Sequence, residues 1–222
     1  MFDLVIFDCD GVLVDSEILA TQVTCQVLAD IGLSMSVTEA ISVLVGFDAR
    51  IARRKLEEAL GCLLPVDFES RVASRLNEAF NSRLQPISGM TELLQNLSYP
   101  FCVTSNSGHE RLRCTFSATG LSSLVDGRVF SAEDVAQGKP APDLFMHAAR
   151  TMGHVPADRC LVIEDSLTGV TAARAANMKV IGFCGGAHIQ PGHDRELLLS
   201  GAERICTQTR QLAELLGSSA DN

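Results

Sequence analysis

Four short segments, far apart in the chain, concentrate its polar chemistry, and three of them attach it to the end of an apolar run. Those three are Leu4-Val5-Ile6-Phe7-Asp8-Cys9-Asp10-Gly11-Val12, Phe101-Cys102-Val103-Thr104-Ser105-Asn106 and Leu161-Val162-Ile163-Glu164-Asp165-Ser166; the fourth is Gly138-Lys139-Pro140-Ala141-Pro142-Asp143. Short apolar runs of this kind read as buried strands, and further runs at 129–130 and 179–183 extend the series. Helical patterns follow most of them, an alternation that specifies a parallel sheet. In an open sheet of that type the carboxyl ends of the strands lie side by side at a crevice, so groups distant in sequence meet on one ligand.

Local signals place the helices. Ser107 with Glu110 predicts a capping box, Ser88 a cap for a helix over 89–97, and Pro142 the first turn of a helix that Gly153 stops. Leu144, Phe145, Ala148 and Met152 give that last helix one apolar face. The interval 16–86 separates the first strand from the second without a convincing strand of its own, which marks an inserted subdomain. Val23, Val27, Leu28 and Ile31 recur at helical spacing, Ser36 and Glu39 form another capping box, and 51–60 and 68–84 are helical in pattern. The expected organisation is a core domain of residues 1–15 and 87–222 and a helical domain of 16–86. Its links near 15–18 and 84–88 would permit hinge-like opening. Residues 217–222 read as a frayed tail.

The 222 residues, 46% of them hydrophobic, can bury a good core. A net charge of −9 lacks the basic field that nucleic-acid binding needs. No apolar stretch is long enough to span a bilayer, and Met1-Phe2-Asp3 runs into a strand without a signal-peptide pattern, so a cytoplasmic setting is expected. The eight cysteines are irregularly spaced without a CxxC, in a chain too large to need disulfide staples. Cys102 and Cys160 should pack as small hydrophobes. Cys9 should point away from Asp8 and Asp10.

The four polar segments, in this order, resemble the haloacid dehalogenase-like superfamily, and within it the helical-cap phosphatases and β-phosphoglucomutase-like enzymes. The opening FDCDGVLVDSE and the later CLVIEDS look similar to 6-phosphogluconate phosphatases. The resemblance covers nearly the whole chain and implies an α/β fold: a doubly wound, Rossmann-like parallel sheet with an inserted α-helical cap. It also implies an enzyme acting on small phosphorylated metabolites, with no obligate protein partner.

Two aspartates at this spacing direct both side chains to one side of an extended backbone. By the resemblance, Asp8 is the nucleophile that forms a phosphoaspartate, and Asp10 protonates the leaving alcohol and later activates water. A carboxylate beside a phosphate dianion needs a cation between them, and hard oxygen ligands suit Mg²⁺. Asp8, the Asp10 backbone carbonyl and Asp165 would hold it, with Glu164 acting through a bound water. Lys139 would bridge nucleophile and phosphoryl group, and Ser105 would donate to a phosphoryl oxygen, assisted by Asn106. Gly46-Phe47-Asp48-Ala49-Arg50 resembles the substrate loop of the cap. Arg50, Arg53, Arg54 or Lys55 would meet an anionic substrate if they do not simply form a solvated helix face, and Glu17 beside the hinge would sense the leaving group. His188 and His193, with no carboxylate partner evident, read as surface residues.

The resemblance leaves a sugar-phosphate mutase as the nearest alternative, but such mutases carry a histidine where this chain has Ile18, Leu19 and Ala20. A dehalogenase would not need Asp10. A non-catalytic receiver-like module would lack the large helical insertion.

Overall fold

The computed structural model describes residues 2–45 and 49–217. The chain order is β1 (Leu4–Asp8), α1 (Ser16–Asp30), α2 (Val37–Leu44), α3 (Ala49–Leu60), α4 (Phe68–Arg83), α5 (Met90–Asn96), β2 (Phe101–Ser105), α6 (His109–Thr119), α7 (Ser122–Val125) and β3 (Val129–Ser131). There follow α8 (Asp143–Thr151), β4 (Cys160–Glu164), α9 (Leu167–Ala175), β5 (Lys179–Phe183), α10 (His193–Ser200), β6 (Arg204–Cys206) and α11 (Thr209–Leu215). The sheet is parallel throughout, in the order β3-β2-β1-β4-β5-β6. The chain winds outward from β1 in both directions, so the order reverses between β1 and β4, where an open α/β sheet forms its ligand crevice.

Side-chain alternation explains the double winding. Val5 and Phe7 face one layer with Val103, Ile163, Leu93, Leu112 and Leu212. Leu4 and Ile6 face the other, with Val162, Leu144, Phe145, Val170 and Leu197. Cys9 lies in the first of these cores, and Cys102 and Cys160 in the second, as free buried thiols.

The interval between β1 and β2 holds helices and, among the described residues, no strand of the sheet. Val27, Leu28, Leu56, Leu64 and Phe68 form a separate small core there. Leu19, Val23, Ala79, Phe80 and Leu84 of α1, α4 and the segment after it join the core beneath the sheet instead, so the base of the insertion packs against the rest. The two connecting segments pair with each other. The Ile87 N–H donates to the Leu13 carbonyl at 2.9 Å and the Asp15 N–H to the Gln85 carbonyl at 3.2 Å.

The Ser36–Glu39 capping box forms as expected. The other two caps do not. At α6 the Ser107 hydroxyl turns away, and the His109 N–H donates to the Glu133 carboxylate at 3.0 Å instead. The helix after Ser88 begins at Met90 behind a left-handed Gly89 without a side-chain cap. Gly46, Phe47 and Asp48 of the expected substrate loop, Met1, and 218–222 of the expected tail lie outside the described residues. No described helix is long and apolar enough to cross a membrane.

Candidate active site

The carboxyl ends of β1, β2 and β4 open into a cleft of about 790 Å³ lined by Asp8, Asp10, Ser105, Lys139, Glu164 and Asp165 together with Ile41 and Val45 from the helical insertion. Residues from all four polar segments therefore converge. Glu17 and Asn106 line the same cleft.

Asp8 ends β1. Lys139 Nζ reaches its Oδ1 at 2.5 Å and Glu164 Oε1 at 2.7 Å, and also donates to the Thr104 carbonyl at 3.1 Å. An ammonium held by two carboxylates and a carbonyl is fixed in position. Burial alone would lower its pKa, but Asp8 and Glu164 outweigh burial and keep it charged well above its ordinary value. The loop that carries Lys139 is fixed as well. The Asn106 amide donates to the Lys139 carbonyl at 2.9 Å and accepts from the Lys139 N–H at 2.9 Å. Asn106 thus holds that loop in place at the edge of the cleft it lines.

After β1, Gly11 turns with φ +86°, and a Cβ there would lie 1.9 Å from Asp165 Oδ2. Only glycine permits that approach. The turn presents the Asp10 carboxylate to hydroxyls from three directions: Ser16 at 2.7 Å, Ser105 at 3.2 Å and Ser107 at 3.1 Å. Arg111 Nη2 stands 3.8 Å away. Its guanidinium lies over the Phe80 ring at 4.7 Å, joining α6 to α4.

Glu164 is held by protein donors, since beyond Lys139 it accepts from the Ser166 N–H at 3.0 Å and the Ser166 hydroxyl at 2.8 Å. One ligand oxygen each from Asp8, Glu164 and Asp165 lies within 4.8 Å of the others. Burial, only partly offset by Lys139, pushes Asp8 well above the usual carboxylate range, and Glu164, Asp165 and Asp10 add to it. Asp165 is raised likewise, by burial and then by Glu164 and Glu17. Glu17 is itself raised by burial and by Asp10.

Two histidines correct the reading of 188 and 193 as surface residues. His188 is 4% exposed and its Nε2 lies 3.0 Å from Asp165 Oδ2, while His193 Nε2 lies 2.6 Å from the Asp165 carbonyl oxygen. The carboxylate partner is 23 positions upstream on another strand end, so no local pattern reveals it. Their place after a strand's carboxyl end was the available signal. Arg111 and the hydroxyls of Ser16 and Ser107 were also missed.

In the insertion, Arg50 is exposed on α3 and does not line the cleft formed by the described residues. Arg53 is spent locally on Glu57, Glu69 and the Leu64 carbonyl, and Arg54 lies 3.8 Å from Glu58.

A profile of the haloacid dehalogenase-like hydrolases matches residues 2–177. The chain is 28% identical over 191 residues to the 6-phosphogluconate phosphatase of Escherichia coli, spanning 85% of this chain and 86% of that protein. It is 34% identical over 188 residues to (DL)-glycerol-3-phosphatase 2 of Arabidopsis thaliana, covering 80% and 77%. Among solved structures, a HAD family hydrolase from Deinococcus radiodurans with bound phosphate and sodium superposes with a TM-score of 0.90 at 34% identity, covering 100% and 99%.

Proposed function

As the chain belongs to the haloacid dehalogenase-like hydrolases, we propose that it hydrolyses small phosphate monoesters, sugar or sugar-acid phosphates above all, through a phosphoaspartate on Asp8 with Mg²⁺ bound. The observation that carries this reading is the Asp8–Lys139–Glu164 contact, set beside a hydroxyl-bound Asp10 at the switch point of the sheet. The activities for which the relatives are named, on 6-phosphogluconate and glycerol 3-phosphate, support the substrate class.

The residues present fit a hard divalent cation. Lys139 brings a single positive charge to Asp8 and Glu164 together, whereas Asp165 is buried against other carboxylates, with an imidazole and its own backbone N–H at its carboxylate. Of the described residues lining the cleft, Asp8, Asp10, Glu17, Glu164, Asp165 and Glu196 are acidic and only Arg111 and Lys139 are fixed cations. A phosphate dianion entering such a site is repelled without further positive charge. Asp8, Asp165 and the Asp10 carbonyl would hold Mg²⁺, with Glu164 behind a water. When bound, the ion supplies the charge that lets Asp8 and the phosphoryl group approach.

The side chains then divide the reaction. An Asp8 oxygen attacks phosphorus in line as the ester P–O bond breaks, and Asp10 gives its proton to the departing oxygen. Asp10 next takes a proton from the water that attacks the phosphoaspartate, releasing inorganic phosphate and regenerating Asp8. Lys139 stabilises the charge on the moving phosphoryl group, and Ser105 donates to one of its oxygens. Arg111, from its place beside Asp10, meets an anionic substrate. Glu17 contacts the leaving group, and Arg50 assists if the cap brings it over the cleft.

The same reading divides the chain into a core of 1–15 and 87–222 and a cap of 16–86 whose movement admits substrate. The separate Val27–Leu28–Leu56 core and the paired linkers support this division. It keeps the cytoplasmic setting and the small-metabolite partner expected from the sequence. The mutase alternative gains nothing from α1, where Leu19 is buried and Ile18 and Ala20 offer no base. Phosphate release from a panel of sugar, polyol and sugar-acid phosphates, with Mg²⁺ and with EDTA, tests the proposal. Release from none of them, or equal release in chelator, overturns it.

A further inference from the structure

The loop after β5 grips Asp165 at two points. His188 Nε2 meets the carboxylate at 3.0 Å and His193 Nε2 meets the backbone carbonyl at 2.6 Å. A carbonyl oxygen only accepts, so His193 presents a protonated Nε2, while the His188 ring edge lies in close contact with the carboxylate.

The His188 ring occupies a slot made by two missing side chains. A Cβ at Gly11 would lie 2.9 Å from its Cε1, and one at Gly186 would lie 2.6 Å from Cε1 and 2.7 Å from Nδ1. The loop is pinned in turn, since the Ala187 N–H donates to Asp15 Oδ1 at 3.1 Å on the linker to the helical insertion. The other ring nitrogen, Nδ1, is buried without a hydrogen-bond partner among the described residues. An unpaired buried polar atom is destabilising. A phenyl ring fills such a slot without that cost, so packing does not account for the imidazole, whereas the approach of its Nε2 to Asp165 does.

We propose that His188 and His193 are positioning residues that fix Asp165 for the divalent cation, an inference that rests on the Mg²⁺ reading above. Asp165 sits among like charges and follows the last residue of β4. Left to itself its side chain would rotate toward water. His188 holds one carboxylate oxygen and leaves the other to ligate, while His193 fixes the backbone from which the side chain projects. Outer contacts of this kind are worth about 10- to 100-fold in metal affinity.

The test uses Mn²⁺ as the probe, titrated calorimetrically into the full-length wild type, His188→Phe, His188→Gln and Asp165→Asn, with circular dichroism as the check on folding. His188→Phe should weaken Mn²⁺ binding about 10- to 100-fold, and His188→Gln, which restores an N–H, should recover part of the loss. The Mg²⁺ half-saturation of phosphate release should rise by the same factor, with a smaller change in kcat at saturating metal. Wild-type Mn²⁺ affinity in folded His188→Phe, with Asp165→Asn impaired, overturns the positioning role alone. Wild-type affinity in Asp165→Asn overturns the metal reading beneath it. Should His188→Phe fail to fold, His193→Phe carries the same expectation from a more exposed ring, and unchanged Mn²⁺ binding there sinks the inference.

Discussion

The hydroxyl of Ser16 donates to the Asp10 carboxylate at 2.7 Å. Ser16 is the first residue of α1 and fully buried, so Asp10, the proposed acid–base group, is tied directly to the start of the helical insertion. A hydrogen bond to a charged group contributes about 1.5–3 kcal/mol. Ser16→Ala should lower kcat by about tenfold or more, with a smaller change in KM, because Asp10 loses its orientation rather than the substrate its binding. Steady-state kinetics on the best substrate would check this, and a change confined to KM would contradict it.

The bond also shows where legibility in the sequence stops. The β1, β2, β4 and β5 strands are readable because each is a short apolar run, whereas β6 is only Arg204, Ile205 and Cys206 and carries no such signal. Asp8, Asp10, Ser105, Lys139 and Asp165 are legible because each ends or follows a recognisable segment. The Ser107 cap fails for a physical reason: Glu133 caps α6 from 24 residues away, freeing the Ser107 hydroxyl for Asp10. His188 and Arg111 act through partners brought near only by the fold, which local spacing does not encode.

Asp8→Asn should leave the fold intact and cut turnover by roughly 10⁴-fold or more, the scale on which a lost nucleophile acts. Lys139 retains Glu164 and the Thr104 carbonyl as partners, so the substitution strands no buried charge. Circular dichroism and phosphate release measured on the same sample decide the matter. Near wild-type turnover in a folded variant would remove Asp8 from the mechanism.

Asp165 should cost the metal-free protein stability. Burial and then the neighbouring Glu164 and Glu17 raise its carboxyl well above the ordinary range, so the folded state holds the proton more tightly than the unfolded chain. Its contribution to stability is therefore present below the ordinary carboxylate pKa and lost as pH rises through the folded value. In EDTA at neutral pH, Asp165→Asn should gain about 1 kcal/mol, roughly 2–4 °C in Tm for a chain of this size. Added Mg²⁺ should raise the wild-type Tm and leave the variant unmoved. A lower Tm for the variant in chelator would show that Asp165 stabilises the fold outright.

Asp10 should serve both half-reactions, so Asp10→Asn should slow hydrolysis by about 10²- to 10⁴-fold, the range for a lost general acid–base. In ¹⁸O-labelled water the wild-type enzyme should place the label in released inorganic phosphate and leave the Asp8 carboxylate unlabelled. Water attacks phosphorus, so the bond that breaks is between phosphorus and the Asp8 oxygen, and that oxygen stays on the protein. The α1 residues Ile18, Leu19 and Ala20 supply no base to activate a sugar hydroxyl in place of water. Mass spectrometry of the products separates the outcomes. Isomerised sugar phosphate or a sugar bisphosphate without labelled phosphate would show that a second sugar, and not water, receives the phosphoryl group.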